Sequence, residues 1–276
     1  MPSERDQPVA EPRDWPSDWW VPDWPAPAGV HAVFTSRHGG QSLPPFDSFN
    51  LGDHVRDEPA RVAANRALLA QRLGARPVFL QQVHGLAVAA LNEHTPDGTV
   101  ADACWTDRPG VACTVMVADC LPVLFCQPDG AVVAAAHAGW RGLLGQDGAG
   151  VIEHTWRAMA ECLGARADVA QVLVCLGPCI GPQAFEVGPE VRDAFVATHA
   201  AHASAFVPAQ GDRWLANLPA LARQRLQVLG ARAVYGNDGS ARWCTVTQGS
   251  RFFSHRRDAA VLGSTGRMAG CIWLDR

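Results

Sequence analysis

The chain has 276 residues, 48% of them hydrophobic, enough for one large domain or two small ones around a sizeable core. Its 23 basic and 27 acidic residues give a formal net charge of −4, and no basic run or stripe occurs, which argues against a nucleic-acid binder. No segment approaches the unbroken apolar length of a membrane span and the N-terminus lacks the apolar core of a signal peptide, so a soluble, cytoplasmic protein is expected.

Residues 1–25 are rich in Pro, Asp and Trp (WPSDWWVPDWPAP), too many prolines for a regular element, and read as an extension whose tryptophans can pin it to a single following domain over 26–276. Val30 to Thr35 alternates as a strand and ends in the polar glycine turn Ser36-Arg37-His38-Gly39-Gly40. Arg37 is free there to reach an anion, or simply to be solvated. A loop ending in Phe49-Asn50-Leu51-Gly52 precedes a predicted helix over 58–74, with Val62, Leu68, Leu69 and Leu73 near one face and Gly74 as its stop. The apolar run VFL then leads through polar residues to His84 and Gly85, placing an imidazole at a strand end. A strand over 86–91 and a Pro-Asp-Gly loop follow. A continuous apolar strand over 111–117 feeds Asp119 and Cys120.

Two apolar runs, VLFC and AVVAAA, flank the turn Gln127-Pro128-Asp129-Gly130, the pattern of a buried hairpin. The start of one hairpin strand lies beside the end of its partner, so Cys120 and His137 should meet at the open end. With His84 as third group, a thiolate and two imidazoles suit a tetrahedral divalent ion with one open position. Spacing alone leaves open that each is an ordinary core or surface residue, and no C-x-x-C pair sharpens the pattern.

Beyond His137 the glycine-rich run 139–145 leads to a helix near 150–163. It lacks the P-loop pattern, so only a generic anion site is suggested. A strand over 172–176 ends in a rigid turn at 177–182, whose Cys179 is either a second nucleophile or a buried thiol. Helices are predicted over 189–199 and 218–229, a short strand over 233–235 and a closing strand over 270–274. Between them Arg251 to Asp258 offers aromatics, a hydroxyl and arginines, either a wall for a planar, phosphate-bearing or hydroxylated ligand or plain surface charge. Nine cysteines, several inside apolar runs, read as reduced. The class expected is a single α/β (mixed α+β) domain with a mixed sheet.

Taken together, QQVHG at 81–85, ADC-x-P-V at 118–123, AHAGWRG at 136–142, GPCIGP-x-x-FEVG at 177–188 and FFS-x-RRD at 252–258 resemble the YfiH family, as do TSRHGG at 35–40 and NLG at 50–52. Its members have been called laccase-domain or polyphenol oxidase proteins, peptidoglycan editing factors and purine nucleoside phosphorylases. The resemblance spans 30–274. It implies a layered α/β fold akin to a bacterial toxin cysteine-hydrolase domain and a zinc site on His84, Cys120 and His137. It also implies phosphorolysis of adenosine, inosine or methylthioadenosine, deamination of adenosine, or phenol oxidation with copper.

For phosphorolysis, residue type nominates Arg37, Arg141 or Arg256 for phosphate and Phe252 or Phe253 for stacking on the purine. For deamination Asp119 is the nearest carboxylate for proton transfer, and Asn50 and Ser254 complete the candidate substrate residues. A copper centre would add Met116 to the triad, yet the chain has no H-x-H pair. A cysteine hydrolase acting on peptidoglycan precursors would use Cys120 as nucleophile and His137 as base, and a binding module would hold structural zinc. The implied partners are small molecules; oligomeric state is not legible.

Overall fold

The computed structural model describes residues 15–164, 171–231 and 233–275; the stretch before residue 15 lies outside them. In chain order the first half comprises β1 (Val30–Phe34), α1 (Pro59–Leu73), β2 (Arg76–Phe79), β3 (Val88–Ala90), β4 (Ala103–Thr106), β5 (Val111–Val117), β6 (Leu121–Cys126) and β7 (Val133–Ala138). The second half comprises α2 (Trp140–Leu144), α3 (Val151–Leu163), β8 (Leu173–Leu176), β9 (Glu186–Val187), α4 (Pro189–Thr198), β10 (Phe206–Pro208), β11 (Trp214–Ala216), α5 (Leu218–Val228), β12 (Val234–Gly236), α6 (His255–Leu262) and β13 (Met268–Leu274).

Two mixed sheets stack face to face. One has the order β1-β13-β5-β2, the other β12-β8-β6-β7-β4-β3, and a small third sheet runs β10-β11-β9. The pleat explains the layering. Along β5, Val111, Cys113 and Val115 enter the core between the sheets, while Ala112 and Met116 face the cluster built with Leu69 and Leu73 of α1. Along β6, Leu124 and Cys126 enter that same middle layer, and Val123 and Phe125 face the helical side with Ile152 and Trp156 of α3 and Leu221 of α5. Both strands are buried on both faces, which is why they read as continuous apolar runs rather than alternating ones. Truncating a side chain as enclosed as Phe125 to alanine should cost about 3–5 kcal/mol.

Local signals set the element ends. α1 starts with Pro59, whose missing N–H costs nothing in a first turn, and stops at Gly74, which takes φ 63. The described part of the N-terminal extension lies on the first sheet: Trp20 bridges to Phe34 through the backbone, and Trp15 contacts Trp19 and Trp273.

Several elements differ from the sequence reading. β4, the three-stranded sheet, α2 and α6 carried no periodic signal, being either very short or, for α6, without a buried apolar face, since its buried residue is Asp258. β7 runs to Ala138, so His137 lies inside the strand rather than just after it, and β13 begins at Met268. The hairpin register pairs Leu121 with Ala138 and Pro122 with His137, which sets Cys120 beside Gly139 at the open end. The ends of β5 and β7, the start of β6 and the loop after β2 therefore converge on one place.

Candidate metal centre

The alternation of β7 turns His137 to the side of Val133 and Ala135, facing the middle layer at its open end, where it is 4% exposed. Cys120 is half-buried and His84 exposed. One donor atom from each lies within 4.8 Å of the others, with Cys120 Sγ 3.7 Å from His84 Nε2. The two rings stand 4.8 Å apart at 70°.

Asp102, fully buried, organises this group. Its carboxylate accepts the backbone N–H groups of Val83, His84 and Gly85 at 3.1, 2.9 and 2.6 Å. It also accepts His137 Nδ1–H at 2.9 Å, while the Asp102 carbonyl accepts the His137 backbone N–H at 2.7 Å. One carboxylate thus holds the His84 loop and fixes the tautomer of the neutral His137 ring, in which Nε2 is the nitrogen whose lone pair is open to a metal. Burial pushes the Asp102 carboxyl up, but the hydrogen bonds from His137 and the backbone outweigh it and hold it below its ordinary value. His84 sits at φ 59 and Asp119 at φ 90, left-handed conformations that tertiary bonds hold in place. Gln82 helps: its side-chain amide donates to the Met116 carbonyl at 2.8 Å and accepts the Met116 N–H at 2.7 Å, tying the loop to β5.

The electrostatics favour a thiolate. Burial opposes ionisation of Cys120, yet the charge of His137 and hydrogen bonds from His137 and His84 bring it down to about 6. Burial likewise opposes a charged His137, but the Cys120 thiolate and Asp102 raise it to about 9. The core thiols behave oppositely, with burial pushing Cys126 and Cys271 up to about 12.

The donor set fits a divalent ion on a further observation. Gly139 has ordinary dihedrals, but a Cβ there would lie 2.9 Å from His84 Cδ2 and 3.0 Å from Cys120 Sγ. Glycine keeps the space between the donors open. Two imidazoles and a thiolate suit zinc and, with a thioether nearby, copper. Among the described residues this is the one group of three or more His, Cys, Asp or Glu side chains so arranged.

The triad lies in the wall of a cavity of about 480 Å3, which is also lined by Met116, Trp140, Ile180, Phe185, Leu218, His54, His255, Arg141, Arg256 and Arg267. Of the other residues nominated by sequence, Arg141, Asp119 and Arg256 line this cavity. Arg141 is exposed over the Trp140 ring, and the Arg256 guanidinium donates twice to the Glu186 carbonyl. Asp119 has both carboxylate oxygens engaged, one by the Thr245 hydroxyl at 2.5 Å and one by the Arg256 N–H at 2.6 Å, so it braces the turn rather than offering a free base.

The remaining nominees stand elsewhere. Phe252 and Phe253 are buried against Val117, Ala118 and Met268, with no face open to stack on a purine. Ser254 caps α6 by accepting the Arg257 N–H. Arg37 is braced on Asp47, the Gly249 carbonyl and the Phe253 ring. Asn50 is buried and hydrogen-bonded to Gly52, Asp57 and Arg267. Sequence reasoning did not single out Asp102, Gln82, Gly139 or Arg267. A lone acid between small apolar residues, Ala101-Asp102-Ala103, was the available signal for the first.

Comparison with known proteins agrees with this architecture. Residues 31–275 match the model of a family described as multi-copper polyphenol oxidoreductase laccase. A Pseudomonas aeruginosa protein named as a purine nucleoside phosphorylase is 52% identical over 93% of this chain and 98% of its own length. The Escherichia coli purine nucleoside phosphorylase YfiH is 48% identical over 92% and 98%. The crystal structure of a Neisseria meningitidis protein superposes with a TM-score of 0.85 at 44% identity, covering 94% of this chain and all of that one.

Proposed function

Because the chain belongs to the family described as multi-copper polyphenol oxidoreductase laccase, whose similar members include proteins named as purine nucleoside phosphorylases, we propose that it is an enzyme that cleaves purine nucleosides with phosphate. The observation that carries this reading is one cavity in which the His84, Cys120 and His137 donors share a wall with guanidinium groups and with the apolar side chains of Ile180, Phe185 and Leu218. Its volume lies in the range of small-molecule sites. Such a lining serves an anion, a sugar and a flat apolar base together.

In the reaction a phosphate oxygen bonds to the ribose C1′ as the C1′–N bond breaks. The proton of hydrogen phosphate ends on the purine nitrogen, giving free base and ribose 1-phosphate. A zinc ion held by His84, Cys120 and His137 would supply Lewis acidity and an open position at that wall. The chain's own contributions are distinct. Asp102 orients His137, the Ile180, Phe185 and Leu218 side excludes water from the base, and the arginines neutralise the incoming charge. With Cys120 as a ligand, its thiolate is not an attacking group. Thiols buried in the core at Cys104, Cys113, Cys126, Cys175 and Cys271 suit a reducing compartment, and we assign the enzyme to the cytoplasm; among the described residues no helix is long and apolar enough to cross a membrane.

The test is release of adenine from adenosine by metal-loaded protein as a function of phosphate. Release that saturates with phosphate and disappears in Cys120→Ala supports the reading, and no release at any phosphate level sinks it. Deamination of adenosine would rest on the same triad, but Asp119 is not free to move a proton, so inosine should not accumulate.

A second reading has its own observation: Cys120, His137 and Asp102 form a thiol–imidazole–carboxylate series, the arrangement of a cysteine hydrolase. It requires activity on an amide or ester, such as a peptidoglycan precursor, to survive metal removal and to leave an acyl-thioester on Cys120. Copper chemistry would draw on Met116 in the same cavity wall, and an intense visible band from copper-loaded protein that consumes oxygen on a phenol would establish it.

A further inference from the structure

We propose that Arg267 is the anion-binding residue of this cavity and that the segment Asn50-Leu51-Gly52 exists to hold it, so that phosphate is seated here rather than on the exposed Arg141 or the engaged Arg256. The proposal rests on the phosphorolytic reading for the identity of the anion as phosphate; the site itself rests on the geometry below.

Arg267 begins the approach to β13 and lines the cavity that contains the triad. Its backbone is clamped on both sides. The Arg267 N–H donates to Asn50 Oδ1 at 2.9 Å, and the Arg267 carbonyl accepts the Leu51 N–H at 3.1 Å. Asn50 is itself fully buried and completes its bonding with Gly52 and Asp57. The side-chain stem then crosses Gly52 so closely that a Cβ there would lie 2.7 Å from Arg267 Cγ. Finally Nη1 donates to the carbonyls of Thr265 and Gly266 at 3.0 and 3.2 Å, which fixes the plane of the guanidinium and leaves the other donors of its fork uncommitted.

This is an expensive arrangement unless an anion completes it. Burial disfavours the charged form of Arg267, and the groups that offset this are the Cys120 thiolate and Asp119. Neither is a free counterion: the thiolate is a donor of the triad, and both Asp119 oxygens are spent on Thr245 and Arg256. A pre-oriented guanidinium facing a cavity without its own carboxylate is the fork that phosphate oxygens match.

The alternatives are less suited. Arg141 lies exposed on the Trp140 ring, and Arg256 sends both terminal nitrogens to the Glu186 carbonyl. The apolar side chains Ile180, Phe185 and Leu218 belong to other elements of the same cavity and are left for the base. The substrate's orientation follows, with the phosphate on the Arg267 wall and the purine on the Phe185 wall.

Two variants test this in metal-loaded protein, Arg267→Lys, which keeps the charge and loses the fork, and Gly52→Ala, which leaves Arg267 in place and displaces its stem. Each should raise the KM for inorganic phosphate at least about tenfold, the worth of one charge-assisted contact, with the KM for adenosine and the metal content unchanged. Calorimetric titration of wild-type protein with inorganic phosphate should show binding that both variants lose, whether or not any nucleoside is cleaved. Phosphate should also protect Arg267 of the unmodified protein from phenylglyoxal, read by mass spectrometry, which requires no variant to fold. Phosphate binding without nucleoside cleavage would reject the phosphorylase reading and keep this site. Unchanged phosphate KM in both variants, an equal rise in both KM values, or absence of phosphate binding and protection would overturn the assignment of Arg267.

Discussion

His84 and His137 offer the same kind of nitrogen to the same point, but the protein presents them in opposite ways. His137 is set inside a central strand, buried, with its other ring nitrogen and its backbone N–H both bound to Asp102. His84 is exposed, on a loop in a left-handed conformation, held through its backbone rather than its ring. One donor is thus fixed by a strand and the other carried by a loop. Asp102 is the joint between the two, so the contrast can be tested by what each residue costs when removed.

The largest effect should come from Asp102→Ala, which leaves three loop N–H groups and the His137 ring without a partner. We expect a loss of about 3–5 kcal/mol in stability, read by denaturant unfolding, and a fall of about 10–100-fold in metal affinity, read by chelator competition. A variant that loses metal without losing stability would show that the two halves are not joined there. Next, His137→Ala should cost about 1–3 kcal/mol because the Asp102 carboxylate loses its ring partner, whereas His84→Ala should stay within about 0.5 kcal/mol although both abolish metal loading. Equal stability losses would erase the distinction between strand and loop ligand.

Gly139→Ala then probes the loop side alone. Its added methyl points at His84 and Cys120, so metal affinity should fall at least about tenfold while the melting temperature holds, as the methyl displaces a ligand rather than the core. The smallest effect concerns protonation. In metal-stripped protein the Cys120 thiolate should persist above pH of about 6 and be lost below it, so alkylation by iodoacetamide should show that midpoint. Cys126, pushed up to about 12, should remain silent at neutral pH, and replacing His137 with alanine should move the Cys120 midpoint upward.

Much of the fold was legible because the strongest elements carry their signals locally. β5, β6 and β7 are apolar runs bounded by a Pro-Asp-Gly turn, and α1 has its proline start and glycine stop. What escaped was short or charged: β9 to β11 have two or three residues each, and α6 starts in His-Arg-Arg-Asp, where no apolar face marks a helix. At the site, His84, Cys120 and His137 could be nominated because strand ends and a hairpin register are sequence properties. The aromatic and hydroxyl residues of 252–254 could not be placed that way, since whether Phe253 faces a ligand or the core depends on what lies across from it.

The amino-acid order alone determined that Cys120 and His137 would meet at the open end of one hairpin, because turn chemistry and the two-residue repeat of a strand are local. Only the tertiary structure decided that Asp102 would join His137 to the His84 loop, that Asp119 would be consumed as a brace, and that Arg267 would face the cavity across Gly52. The physical reason is that a polar side chain's role is set by which partners remain unsatisfied once the core has closed, and those partners come from elements far apart in the chain.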